Sequence, residues 1–370
     1  MSILIFIISF LFVFGILVFV HELGHFIAAK RSKIEVQEFA FGFPPRLFSK
    51  KIGGTEYSIN AIPFGGYVRI LGEDGSEKNN PNSFSHKSKL VKAKVLSAGV
   101  VMNTILAWII LSFLYAIGFL PLIPGMENHK GVSQYFKVEN IESNSPAMKT
   151  GVQKGDEILR VDEKTINNAI QLRDEMKHRI GQETKVEIKR NGQIKNFNVI
   201  PFKDTIEGKE IGRIGIETSE KIKSDSIFLA PVSGFQELWR LSVITIVGIV
   251  DVFSKIFTQF TISQDVVGPA GIVYLTGQVS QLGFTFLLQF MAILSISLAL
   301  FNILPIPALD GGHLLFLAIE KIRGKDISIK SKNTVTIAGF VLLILLVLIV
   351  TPRDLNRFGI IEGIKKFLGI

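Results

Sequence analysis

From Ile3 to Val20 the chain carries no charged side chain, and its apolar character persists to Ala29. A helix needs about 20 such residues to cross the hydrocarbon of a bilayer. Inside lipid every backbone N–H and C=O must be satisfied from within, so only helices and closed barrels span it. That run restricts the fold to a membrane architecture before any motif is considered. A cleaved signal peptide fits poorly: no basic residue precedes the run, the run is too long, and no A-x-A site follows. Three more stretches share this character: Val95 to Leu122, part of Leu282 to Leu309 within a charge-free stretch reaching back to Val266, and Val335 to Val350. The mean hydropathy of +0.39 agrees.

The basic residues orient these spans. Lys30, Arg31 and Lys33 follow the first; Lys87, Lys89, Lys92 and Lys94 precede the second; Lys321, Arg323, Lys325, Lys330 and Lys332 separate the third from the fourth. The positive-inside rule puts all three clusters in the cytoplasm, which leaves both termini and the segment between spans two and three outside. A net charge of +9 would also admit a nucleic-acid partner, but charge placed beside apolar runs reports orientation, so no nucleic acid is expected. Leu238 to Phe260 competes as a fifth span. Arg240, Asp251 and Lys255 interrupt it, and crossing would put the last basic loop outside, so it reads as an amphipathic helix on the outer interface.

The expected organisation is a first transmembrane helix over 1–29, a cytoplasmic loop with a membrane-associated β-region over 30–94, and a second span over 95–122. An extracytoplasmic α+β domain follows over 131–217 and an interfacial amphipathic segment over 226–281. Then come a third span over 282–315, a cytoplasmic loop over 316–334, a fourth span over 335–351 and an interfacial tail over 352–370. The inserted domain shows β-type runs ("FKVENI", "EILRVD", "KVEIKR", "IKNFNVI") and an Asn191-Gly192 hairpin turn. A helix near Asn168 to Ile180 spaces Ile170, Leu172, Met176 and Ile180 as a core-facing stripe. In the tail, Phe358, Ile361, Ile364, Phe367 and Leu368 share a face opposite Lys365 and Lys366.

His21 to His25 spells H-E-x-x-H. Residues i and i+4 share a helix face, so both imidazoles can hold one ion while Glu22 reaches a bound water. As a bare pattern the motif is common, and a helical histidine is more often structural. Ionisable groups inside a span are expensive, however, and mark function. A catalytic zinc takes three protein ligands and one open position, so a third ligand is expected from another span at similar depth. In "NILPIPALDGGH", Asn302 to His313, the one carboxylate is Asp310. It could be a turn residue beside Gly311 and Gly312, but four spans bring it to the depth of the histidines. Pro305 and Pro307 forbid a regular helix before it, and irregular backbone at membrane depth is tolerated where it lines a watery cavity. The absence of cysteine excludes a thiol nucleophile and Cys-type zinc sites.

With these motifs the chain resembles the site-2 protease family of intramembrane zinc metalloproteases, in its bacterial RseP-like branch. H-E-x-x-H pairs with N-x-x-P-x-P-x-L-D-G at Asn302 to Gly311, supported by Gly99-Val100-Val101-Met102-Asn103, "FGGYVRILGED" at Phe64 to Asp74 and "VGPAGI" at Val267 to Ile272. The resemblance implies Zn2+ held by His21, His25 and Asp310, Glu22 as general base, and substrate contacts near Asn302. It also implies that Thr55 to Leu71, with Gly65, Gly66 and Tyr67, forms a membrane-dipping β-hairpin that pairs with substrate by strand addition. A hairpin that merely caps the spans is the equal alternative. "ESNSPAMKTGVQKGDEILRVD" at Glu142 to Asp162 resembles a PDZ domain, with "GRIGI" at Gly212 to Ile216 as part of its peptide groove.

The expected fold is thus a polytopic α-helical membrane protein: four transmembrane helices, a membrane-associated β-hairpin region and an inserted extracytoplasmic PDZ domain. The expected function is cleavage of pre-trimmed single-pass membrane proteins, anti-sigma factors or remnant signal peptides, in the bacterial cytoplasmic membrane, with the site toward the cytoplasm. The lipid bilayer and a peptide ligand of the PDZ domain are the other partners. A non-catalytic PDZ scaffold and a metal transporter are the competing readings.

Overall fold

Hydropathy sets the frame. In the computed structural model, which describes residues 3–119, 122, 134–166, 169–177, 179–206, 209–222, 224–259 and 266–360, the opening apolar run is one continuous helix, α1 (Ile3–Arg31). The strands β1 (Val36–Ile52) and β2 (Thr55–Ile70) follow, then α2 (Lys89–Ile117). Next come β3 (Gln134–Ile141), α3 (Pro146–Thr150), β4 (Glu157–Val161), β5 (Lys164–Thr165) and α4 (Ala169–Lys177). The strands β6 (Thr184–Arg190), β7 (Gln193–Val199), β8 (Phe202–Ile206), β9 (Lys209–Arg213) and β10 (Ile216–Ile222) complete this part. The chain ends with α5 (Ala230–Gln259), α6 (Pro269–Leu282), α7 (Phe284–Ile303), α8 (Asp310–Arg323) and α9 (Ile329–Arg357). Contacts divide the chain into two compact units, 1–112 with 234–370, and 113–233.

Among the described residues, four helices are long and apolar enough to cross a membrane: α1 from Leu4, α2, α7 and α9. These are the four expected regions, and α5 is not among them. Their ends differ from the expected ones because hydropathy marks only the lipid-facing part. Basic residues carry α2 back to Lys89 and α9 back to Ile329, where the Ser328 hydroxyl accepts from the Ser331 N–H. The helix α2 stops at Ile117, short of residue 122. The expected third span, 282–315, is two helices, because Leu304 to Leu309 with its two prolines leaves the helical ladder between α7 and α8. The expected interfacial stretch 226–281 also divides. Helix α6 carries no charge and packs on α1, with the Phe6 and Tyr274 ring centroids 5.8 Å apart. The tail positions Ile361, Ile364, Lys365, Lys366, Phe367 and Leu368 lie outside the described residues.

The β-region is not a simple hairpin. Residue Phe39 pairs with both Tyr57 and Val68, and Ala40 with both Ser58 and Tyr67. Each long strand bends, near Gly42 to Arg46 in β1 and near Ala61 to Gly65 in β2, and serves twice. The result is a four-segment mixed sheet in the order 46–52, 55–60, 36–43, 66–70, in which the two outer pairings are antiparallel and the central one, 55–60 with 36–43, runs in the same direction. One buried carboxylate joins all four segments. Glu38 accepts from Ser58 Oγ at 2.7 Å, Arg46 Nη2 at 2.8 Å and Arg69 Nη2 at 2.5 Å. Only this alignment satisfies it, so Glu38 fixes the register of strands whose alternation is otherwise weak.

In the second unit β10, β3, β4, β6 and β7 form an antiparallel sheet in that order, with β5 beside β4. Val138, Ile158, Val161, Val186, Ile188 and Val199 build its core with Leu172 and Met176 of α4. Ile180, expected on that stripe, lies past the helix and is exposed, and the Ile170 side chain lies outside the described residues. Asn191 (φ 50°) and Gly192 (φ 83°) turn β6 into β7, the two left-handed residues that a tight hairpin with native twist requires. The sheet runs on to Ile222, past the expected boundary at 217.

Candidate active site

His21 and His25 lie on the face of α1 that meets α2. The crossing is close: a Cβ added at Gly24 would stand 2.3 Å from the Ala98 carbonyl oxygen, and one added at Gly99 would stand 2.5 Å from His25 Nε2. His25 Nδ1–H donates to the Val95 carbonyl at 2.8 Å. That bond leaves the lone pair on Nε2, pointing into the site. Asp310 opens α8, just after the proline-broken segment, and its Oδ2 lies 3.2 Å from His21 Nε2 and 3.4 Å from His25 Nε2. The two Nε2 atoms are 3.2 Å apart.

This triangle suits a metal ion. Ligands about 2.0–2.1 Å from a tetrahedral zinc stand roughly 3.3 Å from one another, the spacing found here. Asp310 Oδ2 is buried and has no hydrogen-bond donor, and both imidazoles are buried as well. Converging acceptors without donors need a cation. Two imidazoles and one carboxylate form a donor set that zinc takes in hydrolases.

Glu22 is one residue along α1, and the Val68 backbone N–H lies close to its carboxylate. A Cβ on Gly66 would stand 3.7 Å from Glu22 Cγ. The segment 66–70 pairs with 36–41 along one edge, and among the described residues no strand pairs with its other edge. That free edge is the one facing Glu22. A cavity of about 220 Å3 lies here, lined by His21, Glu22, His25, Tyr67, Val68 and Asp310 among others. It shares Ile70, Glu73, Phe84 and Leu96 with an adjoining cavity of about 530 Å3, whose further lining includes Lys92, His313 and Lys332. Polar walls of this kind admit the water that hydrolysis needs.

Of the residues singled out from sequence, the structure brings His21, Glu22, His25, Asp310 and Tyr67 to one cavity, with Gly66 beside it. Gly65 packs against the Phe43 ring instead. Asn302 ends α7 half-buried and is not among the residues lining the site. Sequence reasoning assigned no role to Glu73, Phe84, Val95 or Asn103. The last could have been noticed, since it is the one carboxamide in the apolar run from Val95 to Leu122.

Helices long and apolar enough to cross a membrane, with a buried imidazole–carboxylate triad spaced to hold a metal ion beside a glutamate, fit the class of membrane metallohydrolases. Comparison with known proteins gives the family. The model of peptidase family M50 matches residues 9–346. A candidate zinc metalloprotease of Clostridium perfringens is 34% identical over 93% of this chain and 97% of its own length. Zinc metalloprotease RasP of Geobacillus kaustophilus is 30% identical over 95% and 98%. The regulator of sigma-W protease RasP of Bacillus subtilis is also 30% identical, again over 95% and 98%. The PDZ domain of the SdrC-like protein of Listeria monocytogenes matches 22% of this chain and 85% of its own at 18% identity, with a TM-score of 0.20. The chain belongs to peptidase family M50, the site-2 proteases, and is a metalloprotease.

Proposed function

We propose that this chain is a zinc-dependent endopeptidase that cleaves membrane-spanning segments of single-pass proteins, taking each as an extended strand. The free edge of residues 66–70, facing Glu22 beside three converging donor atoms, carries the reading. A transmembrane helix shields its peptide bonds, so the substrate must unwind before cleavage, and an unpaired strand edge rewards unwinding with main-chain hydrogen bonds. In this reading Gly65, Gly66 and Tyr67 belong to the surface that receives substrate. Gly66 presents bare backbone beside Glu22, and Tyr67 lines the cavity.

His21, His25 and Asp310 hold the zinc. Bound there, the ion would supply Lewis acidity for hydrolysis. Glu22 would accept a proton from the attacking water and return it to the leaving amine, with the Val68 N–H close to its carboxylate. Asn302, outside the cavity, is assigned to contacts with the substrate beside the centre rather than at the scissile carbonyl.

The positive-inside rule puts the site near the cytoplasmic face of a bacterial inner membrane and the inserted unit outside. That unit is read as a PDZ domain. A groove of about 230 Å3 between α4 and the edge strand β10, lined by Leu172, Met176, Ile214 and Ile216 with Arg173 and Gly215, suits an extended peptide. It admits substrates already shortened outside the membrane; anti-sigma factors are the type, and remnant signal peptides a second class. The sigma-regulating name of the Bacillus subtilis relative supports that choice. A complete donor triad with its glutamate gives neither a scaffold nor a transporter any advantage. The test uses purified protein in detergent with a model single-span substrate. Glu22→Gln should retain one zinc per chain and lose cleavage by at least about a thousandfold; cleavage at the wild-type rate would refute the assignment.

A further inference from the structure

A histidine that ligates through Nε2 must carry its proton on Nδ1, and whatever accepts that proton fixes both the tautomer and the plane of the ring. For His25 the acceptor is the Val95 carbonyl, at 2.8 Å. For His21 the facing atom belongs to Asn103 of α2, whose carboxamide Nδ2 stands 3.4 Å from His21 Nδ1. Asn103 is completely buried, and its Oδ1 has no hydrogen-bond partner. An amide nitrogen facing Nδ1 favours the tautomer protonated on Nε2, which can donate to Asp310 but cannot hold a metal. Rotating the carboxamide by half a turn exchanges Oδ1 for Nδ2 and gives the oxygen the donor it lacks. The same rotation moves the His21 lone pair to Nε2, into the donor triangle.

We propose that Asn103 is the positioning residue for His21: its Oδ1 accepts from Nδ1–H when the metal is bound, and so selects the ligating tautomer. This rests on the zinc reading above. The backbone supports it independently. Ser295 Oγ of α7, itself buried, donates to the Asn103 carbonyl at 2.8 Å. Asn103 thus joins α1, through His21, to α7, the helix that runs toward Asp310. About two turns of α2 supply both histidines with their outer partners: Val95 for one, Asn103 for the other, and Gly99 between them so that the rings can approach.

The test measures zinc affinity of detergent-solubilised protein by competition with a chelator, alongside thermal unfolding of the zinc-free protein. Asn103→Leu keeps the volume and removes the acceptor; it should raise the zinc Kd about 10- to 100-fold. Asn103→Asp keeps an acceptor and should hold the Kd within about threefold of wild type. Zinc-free melting should not follow this order. If Leu is not accommodated, Asn103→Thr, too short to reach Nδ1, decides the same point with the same expected loss. Wild-type affinity in Asn103→Leu or Asn103→Thr overturns the proposal, as does an equal loss in Asn103→Asp. A wild-type protein that binds no zinc would instead overturn the zinc reading.

Discussion

Gly99→Ala isolates the geometry of the site. The added Cβ would lie 2.5 Å from His25 Nε2 and 2.7 Å from His21 Nε2, short of the 3.4 Å at which ordinary contact begins by about 0.9 and 0.7 Å. The third close contact is His21 Cε1 at 2.6 Å, so all three fall on the ring edges that face the metal position. Two movements could relieve them. The imidazoles could swing away, but His25 would lose its bond to Val95 and His21 its contact with Asn103. Helix α2 could retreat, but it carries those same partners and Ser295 ties it to α7. Shifts of this size exceed the tolerance of about 0.2 Å that a metal–ligand distance allows. The expected result is a zinc affinity at least about 100-fold weaker, with cleavage lost in proportion at limiting zinc. Overpacking should also destabilise the fold by about 1–3 kcal/mol. Zinc stoichiometry, measured on monodisperse protein by elemental analysis, is the primary readout. Gly248→Ala, where an added Cβ meets nothing within 4 Å, is the control. Full zinc loading and wild-type cleavage in Gly99→Ala would refute the placement of α2 against the histidines.

Two further outcomes test the scaffold and the topology. Burial alone would raise the Glu38 carboxyl, yet the Ser58 and Tyr67 hydroxyls and the Arg46 and Arg69 guanidinium groups outweigh it and hold it below the usual carboxylate range. A depressed folded-state pKa gives stability that is full above the unfolded value of about 4.3 and is lost as pH falls through the folded one. Glu38→Gln should therefore destabilise the sheet by about 2 kcal/mol at pH 7 and remove part of the acid sensitivity seen in thermal unfolding; an unchanged acid limb would show that the four segments are aligned by other contacts. Because the chain has no cysteine, single Asn191→Cys and Lys325→Cys variants report sidedness without background. An impermeant maleimide should label Asn191→Cys in intact cells and Lys325→Cys only after permeabilisation. Labelling of both from outside would mean that α5 crosses the membrane.

What could be read from the sequence was what is encoded over short distances. The four spans appear in residue order as hydropathy, the hairpin at Asn191 and Gly192 as a dipeptide, and H-E-x-x-H as a single helix face. Asp310 could be reached because depth in a membrane turns position along the chain into position in space. Structure was needed where a polar group finds its partner far away. Glu38 looks like one more strand carboxylate until Arg46, Ser58 and Arg69 arrive from three segments. The motif "VGPAGI" gave no physical reason for its glycines. In the fold, helix α6 has no side-chain cap of its own, and buried Asp354 of α9 accepts from the N–H groups of Gly268 and Gly271 at 2.9 and 2.8 Å. A side chain at either glycine would meet that carboxylate, at about 3.0 Å from its Oδ2. Asn103 follows the same rule. An apolar helix holds a lone buried carboxamide only where something answers it; the sequence left Asn103 without a role, and the fold brings it to His21 Nδ1.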